Sequence, residues 1–325
     1  MKIVIAGGTG QLGAILSRAL RQAGYRVVIL SRHPEGPEQV AWDGRTLGAW
    51  ADEVDGCDGV INLAGRTVNC RYSEKNLREM MDSRVESTRV VGEAIARAKA
   101  PPRVWLQMST ATLYAHRFDA ANDEVSGVLG GDEPDAPAYW KRSVEIARAW
   151  ERAQEEAMTP QTRKVVLRTA MVMSPDAGGV FDVLSKLVRA GLGGAAAGGP
   201  QYVSWLHQDD FVHAILFLLQ REDLRGPVNL ASPHPLPQRE LMKTLREAWG
   251  RRFGLPTTKA MLELGAFILR TDTELLLKSR RVVPTKLLDA GFVFSFPHWE
   301  DAARDLVAAY RARGRTAASP REASA

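Results

Sequence analysis

A chain of 325 residues, 45% hydrophobic and 25% charged, exceeds one average domain and can bury a sizeable core. Its net charge of +5 owes part to Arg311, Arg313, Arg315 and Arg321, and no basic stripe interleaved with aromatics marks a nucleic-acid surface. Cys57 and Cys70 are the only cysteines and lack neighbouring zinc ligands, and no apolar run reaches the roughly 18 residues that span a bilayer. These counts predict a soluble, cytoplasmic protein, monomer or homodimer, that takes a small molecule rather than nucleic acid, membrane or metal.

The first apolar run, Ile3-Val4-Ile5-Ala6, reads as a buried strand. Gly7-Gly8-Thr9-Gly10-Gln11-Leu12-Gly13 follows. Leu12, Ile15, Leu16, Ala19 and Leu20 then recur at the spacing of one buried helix face. Gly24 closes that helix, and Tyr25 to Leu30 form a second strand. A glycine-rich turn between strand and helix lets a pyrophosphate approach the backbone and meet the N–H groups of the helix start. Gly7, Thr9, Gly10, Gln11, Leu12 and Gly13 are therefore candidate dinucleotide contacts; the plainer alternative is a tight turn in an ordinary α/β domain. The second strand ends on Ser31-Arg32, where an NAD-type fold would carry a carboxylate for the ribose 2′-hydroxyl. A hydroxyl and a guanidinium suit a 2′-phosphate instead, which selects NADP(H).

Asp58 to Leu63 gives another buried strand, and the small residues of Leu63-Ala64-Gly65 let a cofactor lie across its end. Ser73 to Ala98 predicts a long helix whose Glu79, Arg84 and Arg89 form, on pattern alone, a solvated face. Val104 to Met108 is a strand that runs into Ser109 and Thr110, hydroxyls at the strand end where α/β sheets do their chemistry. A turn-rich loop precedes a helix over 139–158, then a strand at 165–167. Asp209 and Asp210 fit the N-terminus of the helix Phe211 to Leu219, while His207 reads as a hydrogen-bonded structural residue. The pattern predicts a Rossmann-type doubly wound parallel sheet over 1–225. A smaller α+β lobe follows over 226–313, with 172–205 contributing to the cleft. This lobe holds a strand at 228–230, helices near 238–249 and 258–269, and an aromatic strand over 291–296. Residues 314–325 read as a disordered tail.

Taken together, Gly7 to Gly13, Ser31-Arg32, Ile61 to Gly65, Ser83-Arg84-Val85-Glu86, Trp150-Glu151, Ser204 to Asp210 and Arg281 to Pro284 resemble one group of atypical extended short-chain dehydrogenase/reductases. These are epimerase-family proteins often labelled cell-division-inhibitor-like, with a C-terminal domain of unknown function. The resemblance implies NADP(H) on the glycine loop, Ser31-Arg32, Leu63-Ala64, Glu79, Arg84 and Met171.

In the wider superfamily a Ser or Thr binds the substrate oxygen, and a Tyr passes the proton. A Lys four residues after the Tyr lowers its pKa. Thr110, with Ser109 beside it, aligns with the first position and Tyr139 with the second, but Ser143 stands where the Lys belongs. Lys141, two residues on, would be turned by about 200° around a helix from Tyr139; if the helix starts after Lys141, Tyr139 lies in a loop instead. Without a cation, a phenol of pKa near 10 is only about 0.1% ionised at pH 7. Tyr114 is a second candidate phenol, or else a packed aromatic. The sequence thus supports an oxidoreductase or epimerase, with a non-catalytic NADP(H)-binding redox sensor as the alternative. Arg32→Ala should shrink a preference for NADPH over NADH by about tenfold; equal affinities of the two cofactors for both proteins in a titration would refute the 2′-phosphate assignment.

Overall fold

The computed structural model describes residues 1–134, 137–258 and 274–318. Strands β1 (Lys2–Ala6), β2 (Arg26–Ser31), β3 (Gln39–Ala41), β4 (Gly59–Asn62), β5 (Val104–Thr110) and β6 (Arg163–Thr169) pair in parallel with a seventh, β10 (Gly226–Leu230), in the order β10-β6-β5-β4-β1-β2-β3. The order reverses between β1 and β4, the switch point where ligands bind in doubly wound sheets. Ile3, Val4, Ile5 and Ala6 are all fully buried, as a central strand covered on both faces must be. Helix α1 (Gln11–Gln22) covers one face, with Leu16 and Leu20 in a cluster shared with Phe211 and Ile215 of α5 (Gln208–Gln220). On the other face, Val90, Val91 and Ile95 of α2 (Glu74–Arg97) meet Val4, Val60 and Trp105, and α3 (Ala138–Glu155) lies beside α2.

The remaining elements build a second core. Parallel strands β7 (Met171–Met173) and β9 (Trp205–His207) pair, as do antiparallel β8 (Tyr202–Val203) and β11 (Leu236–Pro237). Phe181 of α4 (Val180–Arg189), Leu241 and Leu245 of α6 (Gln238–Ala248), and Trp299 and Leu306 of α9 (Trp299–Ala318) pack around Trp205. The Trp205 and Trp299 rings meet edge to face, centroids 5.0 Å apart. Two short helices, α7 (Glu274–Leu277) and α8 (Thr285–Asp289), lead into it.

Four expectations change. The strand assigned to the smaller lobe is β10, paired along its whole length with β6; the predicted boundary after residue 225 therefore cuts off the edge strand of the main sheet. The segment 291–296 forms no strand. Its Ser295 and Phe296 N–H groups donate to the two oxygens of the buried Asp210 carboxylate, at 2.7 and 3.0 Å, so they cannot join a ladder. Asp210 is thus a loop anchor, and the N-cap of α5 is His207, whose Nδ1 accepts from the Asp209 N–H. Finally, α9 continues through Ala318, where disorder was expected from 314. Alanine and arginine favour helix, and the first proline comes only at Pro320. The helix predicted at 258–269 and the last residues of the tail lie outside the described residues. Among those described, no helix is long and apolar enough to cross a membrane.

His207 is fully buried, and because Nδ1 accepts, Nε2 carries the proton, 3.2 Å from Asp305 of α9. Burial lowers its pKa below the ordinary 6.5 against the pull of Asp209, Asp305 and Asp210. Above pH 6.5 both folded and unfolded forms are neutral there. As pH falls below that value only the unfolded form takes the proton, and stability drops by up to about 1.4 kcal/mol per pH unit. Urea unfolding across this range should show the loss in the wild type and a flatter dependence in His207→Gln, whose amide keeps one donor and one acceptor; parallel curves would contradict the assignment.

Candidate functional site

The glycine loop is shaped by close approach. Gly7 takes φ +74°, open to glycine and strained for other residues, and a Cβ there would lie 2.8 Å from the Ala64 Cα. Asn62 holds that neighbour in place: its Oδ1 accepts from the Ala64 N–H at 3.0 Å, while its Nδ2 donates to Gln107 at 3.0 Å. A Cβ on Gly13 would fall 2.5 Å from the Gly8 Cα, so the first turn of α1 packs directly on the loop. Gly10 differs. It is the N-cap of α1, offers no side-chain cap, and a Cβ on it would meet only the Gly7 carbonyl oxygen, at 3.6 Å. The loop is tight where it meets protein and open at the helix N-terminus, the cradle a pyrophosphate fits.

At the far end of β2, Arg32 is exposed, and no partner is recorded for its guanidinium among the described residues. Ser31 behaves otherwise. Its buried hydroxyl donates to the His33 carbonyl at 3.0 Å and accepts from the His33 N–H at 3.2 Å, closing a local turn. The serine therefore shapes the loop that presents Arg32. Leu63, Ala64 and Gly65 follow β4 beside Gly7, and Gly65 faces the Arg84 side chain.

A cavity of about 320 Å³ opens at the C-terminal ends of the strands, lined by Gln11 and Leu12 on one side and by Ser109, Thr110, Ser143, Trp150 and Glu274 further in. The Gln11 amide lies against Gly179 at the head of α4. Arg84 lines the cavity with its guanidinium 4.9 Å from the Trp150 ring, donating to the Met80 and Arg66 carbonyls. Burial lowers its pKa to about 10, so it stays a cation at neutral pH. Glu79 lies on the same helix, paired with Arg66 at 2.5 Å. Met171 opens β7 between Ala170 and Val172, which line the cavity. A larger hollow, about 600 Å³, runs from Thr159, Pro160 and Arg163 along β6 to Arg168 and Glu151, and none of the glycine-loop residues lines it. Ligands of doubly wound sheets lie at the strand ends beside the glycine loop, which the smaller cavity reaches, so the smaller cavity is the candidate site.

The candidate catalytic residues separate. Thr110 lines the cavity, its Oγ1 accepting from the Thr112 N–H at 3.2 Å. Ser109 donates to Glu151 at 2.6 Å, which commits its proton. Tyr114 is a correction: it is fully buried, its hydroxyl donating to Asn229 and accepting from Arg168, each at 3.0 Å. Burial raises its pKa, and it serves packing. Tyr139 occupies the first turn of α3, edge to face with Tyr72 at 6.3 Å, outside the cavity lining. Since α3 begins at Ala138, Lys141 does point elsewhere, to Asp132 at 3.3 Å. Ser143, in the lysine's position, donates to Glu274 at 2.6 Å. Sequence reasoning missed Tyr72 and Glu274. The only local signal for Glu274 is an acid and Lys278 bracketing three leucines, which reads as an ordinary helix pair.

Fold and site define the class. Residues 3–231 match the NAD dependent epimerase/dehydratase family, and the chain belongs to it. Residues 257–306 match a domain of unknown function, DUF1731. The chain is 30% identical over 313 residues to human epimerase family protein SDR39U1, covering 95% of this chain and all of that one. It is 28% identical over 310 residues to an epimerase family protein of Staphylococcus epidermidis, covering 95% and 99%. The crystal structure of human SDR39U1 (isoform2) with NADPH superposes with a TM-score of 0.82 at 28% identity, covering 95% of this chain and 99% of that one. The UDP-N-acetylglucosamine 4-epimerase of Bacillus cereus, at 18% identity and a TM-score of 0.73 over 96% of each chain, shares the fold. The expected family and appended domain thus hold, whereas the cell-division-inhibitor label has no counterpart among these relatives.

Two glycines separate folding from binding. Gly13→Ala forces the helix off the loop and should lower stability by about 1–3 kcal/mol. Gly10→Ala should leave the melting temperature nearly unchanged yet weaken NADPH binding at least about tenfold, because its Cβ enters the cradle. Fluorescence titration and thermal melting of both variants decide; a Gly10→Ala protein that binds NADPH normally would rule the cradle out.

Proposed function

We propose that the chain is an NADP(H)-binding oxidoreductase or epimerase acting on a small carbonyl or hydroxyl compound. The observation that carries this reading is one continuous cavity from the glycine-loop residues Gln11 and Leu12 to the strand-end hydroxyl of Thr110. The NADPH-bound human relative supports the cofactor, as do the open cradle at Gly10 and the exposed Arg32, whose guanidinium has no partner among the described residues. When bound, NADP(H) supplies hydride transfer. The residues of this chain do the rest. Gly10 admits the pyrophosphate on a loop that the close-packed Gly7 and Gly13 shape, Arg32 receives the 2′-phosphate, and Arg84 offers a cation inside the cavity. Thr110 orients the substrate oxygen, and Leu12, Met108, Trp150 and Val172 exclude water. A volume of about 320 Å³ is at the low end for ligand pockets, which favours a small substrate. In this reading the residues up to 225, with β10, hold the cofactor, while 172–205 and the C-terminal lobe shape the substrate side.

The second reading, a non-catalytic NADP(H) sensor, draws on Tyr139 standing outside the cavity with Ser143 in the lysine's place. Single-turnover oxidation of bound NADPH against a carbonyl library separates the two. Substrate-dependent loss of absorbance is expected, slowed about tenfold in Thr110→Val with NADPH affinity unchanged. Tight binding without any turnover would leave the sensor.

A further inference from the structure

We propose that Glu274, delivered by the C-terminal lobe, is the group that moves the proton in this cavity, in place of a tyrosine–lysine pair. The proposal rests on the oxidoreductase reading above. Glu274 lines the cavity although its side chain is only 1% exposed to bulk water. Its Oε2 accepts from Ser143 at 2.6 Å, so the carboxyl group occupies the space over α3 where the superfamily's lysine would project. Its Oε1 lies 3.8 Å from the Lys278 ammonium, which is itself held by the Thr112 carbonyl at 2.9 Å, two residues beyond Thr110. The acid and the substrate-orienting hydroxyl are thereby tied to one strand end.

Among the described lining residues, Tyr72, Arg84 and Glu274 are the ionisable ones. Arg84 remains charged and donates to two carbonyls, so Glu274 and Tyr72 are the lining groups able to give or take a proton. Glu274 is held by a hydrogen bond from Ser143 of α3 and by a neighbouring cation, Lys278. Around it stand Lys278 and Arg280 from its own segment, Arg84 and Tyr72 across the cavity, and His116 and Glu133 beyond Lys278. Burial lowers the Lys278 pKa to about 8, against the pull of Glu274. In alcohol oxidation the substrate O–H bond breaks with its proton passing to the Glu274 carboxylate. The C–H electron pair leaves as hydride to NADP⁺, and the C=O bond forms. Carbonyl reduction is the reverse, the Glu274 carboxyl returning the proton. Ser143 is a positioning residue that orients the carboxyl group.

The test uses NADPH-loaded full-length protein with phenanthrenequinone and para-nitrobenzaldehyde as probes, in wild type, Glu274→Gln, Ser143→Ala and Tyr72→Phe. Three quantities are read: the single-turnover rate against pH, NADPH affinity by fluorescence, and the infrared carboxyl stretch without substrate. Glu274→Gln should slow turnover at least about 100-fold, keep NADPH affinity within about twofold, and remove one titrating carboxyl band. Ser143→Ala should retain turnover but shift the pH profile together with that band. A Glu274→Gln protein within about threefold of wild type, or loss of turnover in Tyr72→Phe alone, overturns the assignment to Glu274 and leaves the oxidoreductase reading standing. NADPH binding with no wild-type turnover on either probe sinks both. If Glu274→Gln fails to fold, Ser143→Ala decides: a pH profile and carboxyl band identical to wild type overturn the proposal.

Discussion

The arrangement of the site depends on one buried ion pair. Arg168, at the end of β6, meets Glu151 of α3 in a two-pronged contact, Nε to Oε1 at 2.9 Å and Nη2 to Oε2 at 2.8 Å. Removing one partner from such a pair costs about 3–5 kcal/mol, chiefly because the remaining charge is stranded. The pair also gathers its surroundings. Ser109 donates to Glu151, and Arg168 donates to Tyr114, whose hydroxyl in turn reaches Asn229 on β10. Three parallel strands and the helix across them are thus locked at their C-terminal ends, and the turn after Thr110 inherits that rigidity. The same lock engages two sequence candidates, Ser109 and Tyr114, in holding the frame.

How much of this is legible in the sequence follows from how local each signal is. The strands β1, β2, β4 and β5 are dominated by short apolar runs between turn residues, and the glycine loop lies between one strand and one helix, so a window of thirty residues contains everything needed. The position of β10 was not legible, because a strand after a helix can return to the old sheet or begin a new one, and only its pairing with β6, some sixty residues back, decides. Tyr114 and Tyr139 look alike as phenols near a strand end. What separates them is burial beside Arg168 in one case and the first turn of α3 in the other. Glu274 was out of reach for the same reason: its partner Ser143 is 131 residues away.

The gap at position 143 also acquires a physical meaning. A lysine there would project from α3 toward the cavity and would meet the Glu274 carboxyl group. A serine is short enough to leave room for that carboxyl and polar enough to hold it. The departure from the superfamily pattern and the acid brought in by the C-terminal lobe are therefore two sides of one packing solution.

The segment that carries this acid is stitched back across the first half of the chain. Ser279 donates its N–H to His116 Nδ1 and its hydroxyl to the Arg117 carbonyl. Asn122 donates to the Arg281 carbonyl, and the Val283 N–H donates back to Asn122. These contacts join positions about 160 residues apart. During synthesis the glycine cradle and its flanking strands can therefore assemble long before the cavity has its acidic wall. A ribosome-bound chain that ends before Glu274 already owns a nucleotide-binding half but has no completed reaction chamber. Completion of the polypeptide thus sets the moment at which a bound cofactor becomes enclosed with a proton-handling group.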